Sequence, residues 1–390
     1  MDPSSPAPVA PADRMLELDV LRGLALFGVM MVNLVTEFRV SIFEQFMPER
    51  GASPIDELVT RALVVAVEAK GFIVFSFLFG AGLAAQRGRG VRPIVRRLLA
   101  LLAVGAAHLV LIWNGDILTE YALLGLIAVP VLGRSSRAIL AAGVGCLILH
   151  AVPLPLPTPF PSLAAMEAHI RAAHRAYGDG GAAEVLAFRV RELEPIGALL
   201  VWVAPRTLGL MLVGAWSWRA RLVERSRGRA AVLAILAALA SALGLAAEWA
   251  TKSPGGALAL LPGPVRMIAE AWGPIALALG YAAAALACLT RPLGRAILAR
   301  AAPLGQMALT NYLMQSLIFG FVFYGYGLAM FGRMGSARAS LLGIAVYVAQ
   351  LAASTAWLRR FRFGPIEWLW RSFTYGAWQP MRLDPDPTAR

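Results

Sequence analysis

The chain has 390 residues, of which 58% are hydrophobic and 15% are charged, and its mean hydropathy is +0.66. A soluble protein of this length could not keep so much apolar surface out of water, so the composition predicts an integral membrane protein. The net charge of +13 comes from arginines clustered between apolar runs, as the positive-inside rule predicts, which argues against nucleic-acid binding. Both cysteines lie inside apolar runs, so neither a disulfide framework nor a metal site is predicted.

About ten apolar runs are long enough to be transmembrane helices, so the predicted fold class is an all-α polytopic membrane bundle. The predicted spans are 20–38, 61–86, 93–113, 117–133, 137–155, 196–218, 229–250, 266–289, 303–331 and 337–358. An N-terminal membrane half at 14–155 and a C-terminal half at 196–358 are separated by an external segment at 156–195. Residues 1–13, rich in proline and alanine, are expected to form a disordered tail.

Charged connections indicate which side of the membrane each loop faces. The connections at 87–97, 219–229 and 291–300 are rich in arginine, whereas 37–60 is rich in acids, so both termini are predicted to be cytoplasmic. Arg333 is the exception, because it lies in a connection that this topology places outside.

Two segments outside the spans have amphipathic patterns. Residues 156–195 are predicted to form a lid or a pair of interfacial helices broken at Gly178–Gly181. Residues 359–390 are predicted to be a cytoplasmic amphipathic tail, with Trp368 and Trp370 in the lipid headgroup layer.

The first span carries charges at its entrance. Asp19 and Arg22 share one helix face, so they can pair or jointly hold an ionic ligand, and Gly23 permits a close approach to the backbone. Asn33 follows eleven residues after Arg22, about 16 Å deeper at 1.5 Å per residue. A polar amide at that depth needs a partner or a function.

Polar side chains gather at one predicted depth in the outer half of the membrane. Asn33 and His108 lie at nearly the same height, Glu68 and Lys70 also fall in the outer half, and Asp116 follows in the next external turn. A histidine beside a carboxylate is typical of a general base, because the carboxylate fixes the tautomer and stabilises the imidazolium. The structural alternative is that His108 bonds across helices and Asp116 caps the next helix.

Three further polar residues lie inside predicted spans. Arg206 is expected to line a channel or to meet a carboxylate such as Glu270, because an unpaired arginine at that depth is costly. Asn311 and Gln315 share one helix face, where helix–helix hydrogen bonds explain them. The functional alternative is that Arg206, Asn311 and Gln315 bind the substrate. The small residues of FGAG at 79–82 indicate close helix packing.

Several strings together resemble one family of bacterial membrane proteins. They are LDVLRGLALFGVMMVN at 18–33, VEAKGFIVFSFLFGAGLAAQ at 67–86, HLVLIWNGDILTEYALLG at 108–125, GQMALTNYLMQSLI at 305–318, FYGYGLAMFGR at 323–333 and FGPIEWLWR at 363–371. Nearly the whole chain is similar to the YeiB-like proteins, whose C-terminal half is a domain of unknown function. The resemblance implies a multi-pass protein of the bacterial cytoplasmic membrane.

The first stretch also resembles the opening helix of a wider superfamily of transmembrane acyltransferases. Its members include heparan-glucosaminide acetyltransferases and envelope sugar O-acyltransferases, which take an acyl group from cytoplasmic acyl-CoA. Their L-D-x-x-R-G motif matches Asp19, Arg22 and Gly23, which implies that these residues bind the donor, since a guanidinium pairs well with phosphate. Envelope members have a histidine where this chain has Asn33, and residues 34–60 contain none, so His108 is expected to serve as the base.

The leading hypothesis is an acyltransferase that moves an acyl group from cytoplasmic acyl-CoA to an extracytoplasmic acceptor, such as an envelope glycan or lipid. In this hypothesis Asp116 orients His108 as general base, and Asn33 and Lys70 donate hydrogen bonds to the developing oxyanion, with Glu68 beside Lys70.

Two other functions fit the same composition. In a transporter of a small anionic or amphipathic solute, Asp19, Glu68, Lys70, Arg206 and Glu270 would line the path while the histidine relays protons. A membrane scaffold or sensor would explain the packing motifs but would leave the converging charges without a role. The sequence predicts no oligomeric state.

Overall fold

The computed structural model describes residues 15–47, 53–152, 161–252 and 262–383, so the predicted tail at 1–13 lies outside the described residues. These ranges contain helices, turns and one isolated antiparallel bridge between Phe361 and Arg382. The α-helices are α1 (Leu16–Asn33), α2 (Pro54–Ala66), α3 (Lys70–Gln86), α4 (Val91–Ala107), α5 (Leu118–Val131), α6 (Ser136–Ala151), α7 (Leu163–Ala173), α8 (Ala182–Arg219), α9 (Leu222–Ser226), α10 (Ala230–Lys252), α11 (Gly263–Leu289), α12 (Pro292–Leu298), α13 (Ala302–Gln306), α14 (Ala308–Phe323), α15 (Ser336–Leu358) and α16 (Pro365–Tyr375).

Seven helical segments within the described ranges are long and apolar enough to cross a membrane. They are Leu16–Phe38, Pro54–Arg89, Val91–Ile112, Ile196–Arg219, Ala230–Lys252, Gly263–Leu289 and Ser336–Leu358. Three shorter apolar helices, α5, α6 and α14, coincide with the other three predicted spans. The all-α membrane-type bundle is therefore confirmed, whereas a crossing by all ten segments stays a prediction.

Two predicted spans are interrupted. The span at 61–86 is divided at 67–69, where Ala69 has a left-handed φ of 65°, into α2 and α3. The span at 303–331 is divided at Met307 into α13 and α14, and turns follow α14. Polar residues lie at both breaks, Glu68 and Lys70 at the first and Gln306 at the second, but the flanking apolar residues merge each pair of helices into one predicted span.

The external segment is only partly separate from the sixth span. Helix α8 runs without interruption from Ala182 to Arg219, so residues 182–195 extend this span beyond its predicted start. Helix α7 and its final turn precede α8, and the two are joined at Gly180 and Gly181, within the predicted break.

Three helices end in a π-helical turn. Leu34–Phe38 extends α1, His108–Ile112 extends α4 and His174–Asp179 extends α7. Such turns are rare and are frequently found at functional sites. Asn33 directly precedes the first π turn and His108 begins the second, so both polar residues lie where regular helix geometry changes.

Helix α1 is the central helix of the bundle. In its apolar stretch 78% of the residues are buried, compared with 17% in α10 and in α15. It packs against α3, α11, α13, α14 and α15, and Val20, Val29 and Leu34 are fully buried. Its polar residues therefore lie inside protein and not in lipid.

Glycines bring the backbones of α3 and α8 into direct contact. A β-carbon added to Gly80 would overlap the backbone oxygen of Met211, and one added to Gly214 would overlap that of Phe77. Small residues at interfaces are how helices associate in lipid, where no hydrophobic force drives them together. The packing interpretation of FGAG is confirmed at Gly80, whereas a β-carbon on Gly82 would meet open space.

The basic connections gather at one end of the bundle, here called the arginine end, formed by residues 87–97, 132–137, 219–227 and 359–383. Arg96 donates to the backbone oxygen of Phe373 at 3.0 Å, and Arg219 donates to that of Arg134 at 2.7 Å. Hydrogen bonds between these segments hold the last helix, α16, across this end.

The opposite end, here called the loop end, is formed by residues 38–47, 113–117, 162–181 and 324–336. Arg333 lies there, and its guanidinium binds Asp179 at 2.7 Å. This ion pair explains how a basic residue is accommodated in a connection predicted to be external. The arginine end is predicted to face the cytoplasm by the positive-inside rule.

Replacing Gly80 with alanine is expected to lower the free energy of unfolding by about 1–3 kcal/mol, because the added methyl must displace the backbone of α8. Gly82→Ala is the matched control from the same motif, since its methyl meets open space and removing a helical glycine favours folding by up to about 1 kcal/mol. Thermal denaturation in one detergent measures both variants. Equal midpoints would contradict the packing described for α3 and α8.

His174 gives the loop end a pH-dependent stability. Its Nε2 lies 2.7 Å from Oε1 of Glu44, and this hydrogen bond raises the pKa of His174 above its ordinary value of 6.5. Because the pKa of His174 is higher in the folded protein than in the unfolded chain, the pair stabilises the fold fully at pH values below the pKa of the unfolded chain. This stabilisation is lost as the pH rises through the pKa of His174 in the folded protein. The thermal midpoint of the wild type should exceed that of His174→Asn at about pH 6 and approach it by about pH 9. A difference that stays constant with pH would contradict this role.

Candidate functional site

His108 and Asp116 form a buried pair. Nδ1 of His108 lies 2.9 Å from Oδ1 of Asp116, and each residue is 1% exposed. The second carboxylate oxygen accepts a hydrogen bond from the backbone N–H of Thr119 at 2.7 Å, so Asp116 caps α5 and orients the histidine at once. In the tautomer whose Nδ1–H donates to this carboxylate, Nε2 carries the lone pair that a general base uses.

Nε2 of His108 and Oδ1 of Asn33 are among the eight buried side-chain atoms that have no hydrogen-bond partner within the described residues, and Asn33 is 4% exposed. The other six atoms belong to Ser41, Arg87, Arg97, Thr119, Glu120 and Arg189. Buried polar atoms are nearly always paired in folded proteins, and a membrane-type interior offers little water to replace a missing partner. Nε2 of His108 and Oδ1 of Asn33 are therefore each able to bind a polar group of a ligand.

A cavity of about 320 Å³ enters the bundle from the arginine end. On α1, Arg22, Leu26 and Val29 line it at one-turn spacing, and Asn33 is the next residue on that face. The lining runs along α1 from Met15 to Val29, a rise of about 21 Å at 1.5 Å per residue. The cavity is long, and it extends to within one turn of Asn33.

The wall of the cavity changes from charged to apolar along its length. The mouth is lined by Asp19, Arg22, Arg89, Arg97, Glu367 and Arg371, together with Trp218, Trp370 and Tyr375. The shaft is lined by Leu26, Val29, Phe75, Leu78, Phe79 and Leu101, and the far end by Ile117, Leu118, Tyr121 and Tyr312. The ring of Tyr312 lies 5.2 Å from that of His108, centre to centre, so Tyr312 connects the cavity with the buried pair.

The mouth carries excess positive charge, because four arginines face two acids there. Asp19 binds Arg22 at 2.9 Å. Glu367 accepts a hydrogen bond from the backbone N–H of Thr310 at 3.0 Å, and burial raises the pKa of its carboxyl. Guanidinium groups around an opening attract and bind phosphates, so the mouth suits an anionic ligand.

Helix α16 forms one side of the mouth. The indole N–H of Trp370 donates to the backbone oxygen of Arg97 at 2.8 Å, and the Arg97 guanidinium lies 3.7 Å from the centre of the Trp370 ring. The indole N–H of Trp370 is bound within the protein, and the position of Trp368 and Trp370 in the lipid headgroup layer stays a prediction. Ile366 and Trp370 pack against the bundle, whereas Leu369 and Phe373 are exposed.

Gly23 packs against protein. A β-carbon on Gly23 would overlap the backbone oxygen of Ala301, and the hydroxyl of Tyr347 donates to the backbone oxygen of Gly23 at 2.9 Å. The close approach predicted for a donor is made instead by a neighbouring segment of the chain. Within the L-D-x-x-R-G motif, Asp19 and Arg22 line the cavity while the glycine allows the helices around α1 to come close.

Lys70 and Glu68 belong to a separate charge network. Nζ of Lys70 lies 2.6 Å from Oε2 of Glu248, and these side chains are 3% and 2% exposed. Lys252 joins the network, at 2.6 Å from Glu68 and 3.1 Å from Glu248. The network ties the break between α2 and α3 to α10. The Lys70 ammonium is therefore held by a carboxylate, which removes the basis for its predicted role at an oxyanion.

Arg206 has a different acidic neighbour from the one predicted. Arg206 interacts electrostatically with Glu120, which lies in the first turn of α5. Glu270 instead binds Arg266 on its own helix at 2.8 Å. Glu120 and Glu270 both lie within predicted apolar spans, so the sequence alone does not indicate which of them is close to Arg206.

Asn311 and Gln315 bind the neighbouring helix. Nδ2 of Asn311 donates to Oγ of Ser354 at 2.9 Å, and Nε2 of Gln315 donates to Oε1 of Gln350 at 2.8 Å. These are the helix–helix hydrogen bonds that the structural explanation requires, here between α14 and α15. Substrate binding by these two residues stays a prediction.

A second buried carboxylate near the site was not predicted. Glu192 on α8 accepts hydrogen bonds from Asn114 at 2.5 Å and from Tyr177, and Nε2 of His169 lies 2.6 Å from it. Asn114 is two residues from Asp116, so this cluster anchors the segment that carries the site. Asn114 lies in the noted string HLVLIWNGD, but no local sequence pattern indicates that its partner is Glu192, 78 residues away.

Tyr312 was also missed, although it lies in the noted string GQMALTNYLMQSLI. A tyrosine in an apolar helix has no local pattern that distinguishes a site residue from a core residue. Within the described ranges, no three His, Cys, Asp or Glu side chains are grouped as ligands for a metal ion.

Known sequences similar to this chain are uncharacterised bacterial proteins. A family model described as a protein of unknown function (DUF418) matches residues 215–377. The uncharacterized protein YxaH of Bacillus subtilis (strain 168) is 31% identical over 97% of this chain and 98% of its own length. The uncharacterized protein YeiB of Escherichia coli (strain K12) is 30% identical over 94% of this chain and 98% of its own length.

A third relative is the uncharacterized 39.9 kDa protein in amylase 3' region of Bacillus acidopullulyticus. It is 28% identical over 96% of this chain and 98% of its own length. All three alignments span both membrane halves and the site, and the DUF418 match covers the end of α8 through α16. The chain therefore belongs to the DUF418 family of YeiB-like and YxaH-like membrane proteins.

Proposed function

We propose that the protein is a transmembrane acyltransferase that receives an acyl group from acyl-CoA at the arginine end and transfers it to an acceptor from the loop end. The cavity that joins the arginine-lined mouth to Tyr312, beside the His108–Asp116 pair, carries this proposal. Its charged mouth suits the phosphates of CoA, and its apolar shaft suits a pantetheine arm.

The buried pair provides base catalysis in this proposal. The oxygen or nitrogen of the acceptor bonds to the acyl carbon while the carbon–sulfur bond of the thioester breaks. Nε2 of His108 takes the proton of the acceptor and returns it to the leaving thiolate, which regenerates the neutral imidazole. Asp116 holds the tautomer and stabilises the transient imidazolium. Asn33, one turn beyond the cavity on α1, offers its amide to the acceptor.

The direction of transfer follows from the donor. Acyl-CoA is cytoplasmic, so the arginine end faces the cytoplasm and both termini lie there, as the positive-inside rule also predicts. The acceptor then comes from the outside and meets the site past Asn114 and Glu192. A hydroxyl or amine of an envelope glycan or lipid is the class of acceptor proposed, and the membrane is the bacterial cytoplasmic membrane.

A transporter is the second candidate, because the helix break at Ala69 lies beside a network of four charges, of which Lys70 and Glu248 are buried. Interrupted helices with charged groups near the break are common at transport sites. In that function the arginine-lined cavity would bind a solute anion and no thioester would be cleaved. Release of free CoA separates the two functions.

Purified protein in detergent, supplied with acetyl-CoA and a membrane lipid or envelope glycan extract, is expected to release free CoA. His108→Ala should lower the rate about 10²–10⁴-fold, because general base catalysis typically contributes that much. His150→Ala is the matched control, a histidine on α6 outside the site, and should keep the wild-type rate. CoA release by His108→Ala at the wild-type rate would remove the histidine from the mechanism, and no release by the wild type would favour transport.

A further inference from the structure

Tyr312 is the residue that touches both the cavity and the buried pair. It lines the far end of the cavity, its ring lies 5.2 Å from that of His108, and it is 4% exposed. It projects from the second turn of α14, which begins after the break at Met307. A group at the far end of the cavity therefore meets Tyr312, and the ring of His108 lies directly behind it.

The hydroxyl of Tyr312 has only long hydrogen bonds. It lies 3.5 Å from the backbone oxygen of Gly115 and 3.5 Å from the backbone nitrogen of Ile117. Good hydrogen bonds of this type are 2.5–3.2 Å long, so neither contact satisfies a buried hydroxyl well. By contrast, the buried hydroxyl of Tyr121 lies 2.8 Å from Ser76. The Tyr312 hydroxyl is free to exchange weak contacts for a strong one.

Three polar groups at or near the far end of the cavity lack a good partner, and of these only Tyr312 lines the cavity itself. Nε2 of His108 and Oδ1 of Asn33 lack a partner among the described residues, and the Tyr312 hydroxyl has only the two long contacts. Acyl transfer needs a base for the acceptor proton and a donor for the carbonyl oxygen, which becomes negative as the bond to the acceptor forms. A neutral imidazole with a Nδ1 proton held by Asp116 can supply the base, and a phenol can supply the donor.

We infer that Tyr312 is a catalytic residue of the proposed acyltransferase, whose hydroxyl donates a hydrogen bond to the thioester carbonyl oxygen as that oxygen gains charge. The inference rests on the proposed function. It gives the oxyanion role to a residue on α14, in place of Lys70, whose ammonium is bound to Glu248. No proton leaves Tyr312 in this step, and the hydrogen bond is released when the carbonyl re-forms.

The alternative is that the ring of Tyr312 only fills space between the cavity and His108. Tyr312→Phe distinguishes the two roles, because it keeps the ring and removes the hydroxyl. We expect kcat for CoA release from acetyl-CoA to fall about 10²–10³-fold, as for loss of one oxyanion-hole donor, with little change in KM. Stabilisation of the variant by CoA in a thermal-shift assay should equal that of the wild type, because the donor cavity is intact.

Tyr347→Phe is the matched control, because it also removes a hydroxyl that binds the backbone, at Gly23. Tyr347 does not line the cavity, so the kcat of this variant should stay at the wild-type value. A wild-type kcat for Tyr312→Phe would overturn the inference while leaving the proposed function intact. Loss of CoA binding in Tyr312→Phe would also overturn the inference, because the substitution would then act on donor binding and not on the chemical step. Failure of the wild type to release CoA would instead overturn the proposed function.

Discussion

A polar side chain inside a membrane bundle needs a partner within the protein, and this constraint organises the structure. Lys70 is held by Glu248, Gln315 by Gln350, and Glu192 by a set of donors at the loop end. Nε2 of His108 and the side-chain oxygen of Asn33 are among the eight buried atoms of the described residues that lack such a partner. Because leaving a buried polar atom unpaired is costly, we propose that a ligand pairs with these two atoms.

Helix α1 connects this place with the surface. Its cavity face begins with the Asp19–Arg22 pair at the arginine end and continues with apolar side chains to Val29, one turn before Asn33, after which a π turn starts. The second π turn starts at His108 on α4. One central helix therefore connects the arginine-lined entrance with the buried polar residues, and Gly23 lets it pack closely against Ala301.

Local features of the site were predictable from the sequence, and long-range ones were not. The relation between Arg22 and Asn33 follows from helical periodicity, and His108 and Asp116 are only eight residues apart. The partner of Lys70 lies 178 residues away, and Tyr312 approaches a turn nearly 200 residues before it, so only the fold brings them together. Helix breaks inside predicted spans were likewise missed, because a window average of hydropathy does not detect a local backbone change such as the left-handed φ of Ala69.

The central claim is that the arginine-lined cavity binds the donor of an acyl group. A thermal-shift titration of the purified wild-type protein with CoA tests it directly, since a ligand that binds only the folded state stabilises it by about 2.7 kcal/mol at one hundred times Kd. We expect CoA to raise the midpoint and pantetheine, which lacks the nucleotide phosphates, to raise it less, with the difference lost in Arg22→Gln. No shift at saturating CoA would contradict donor binding in this cavity.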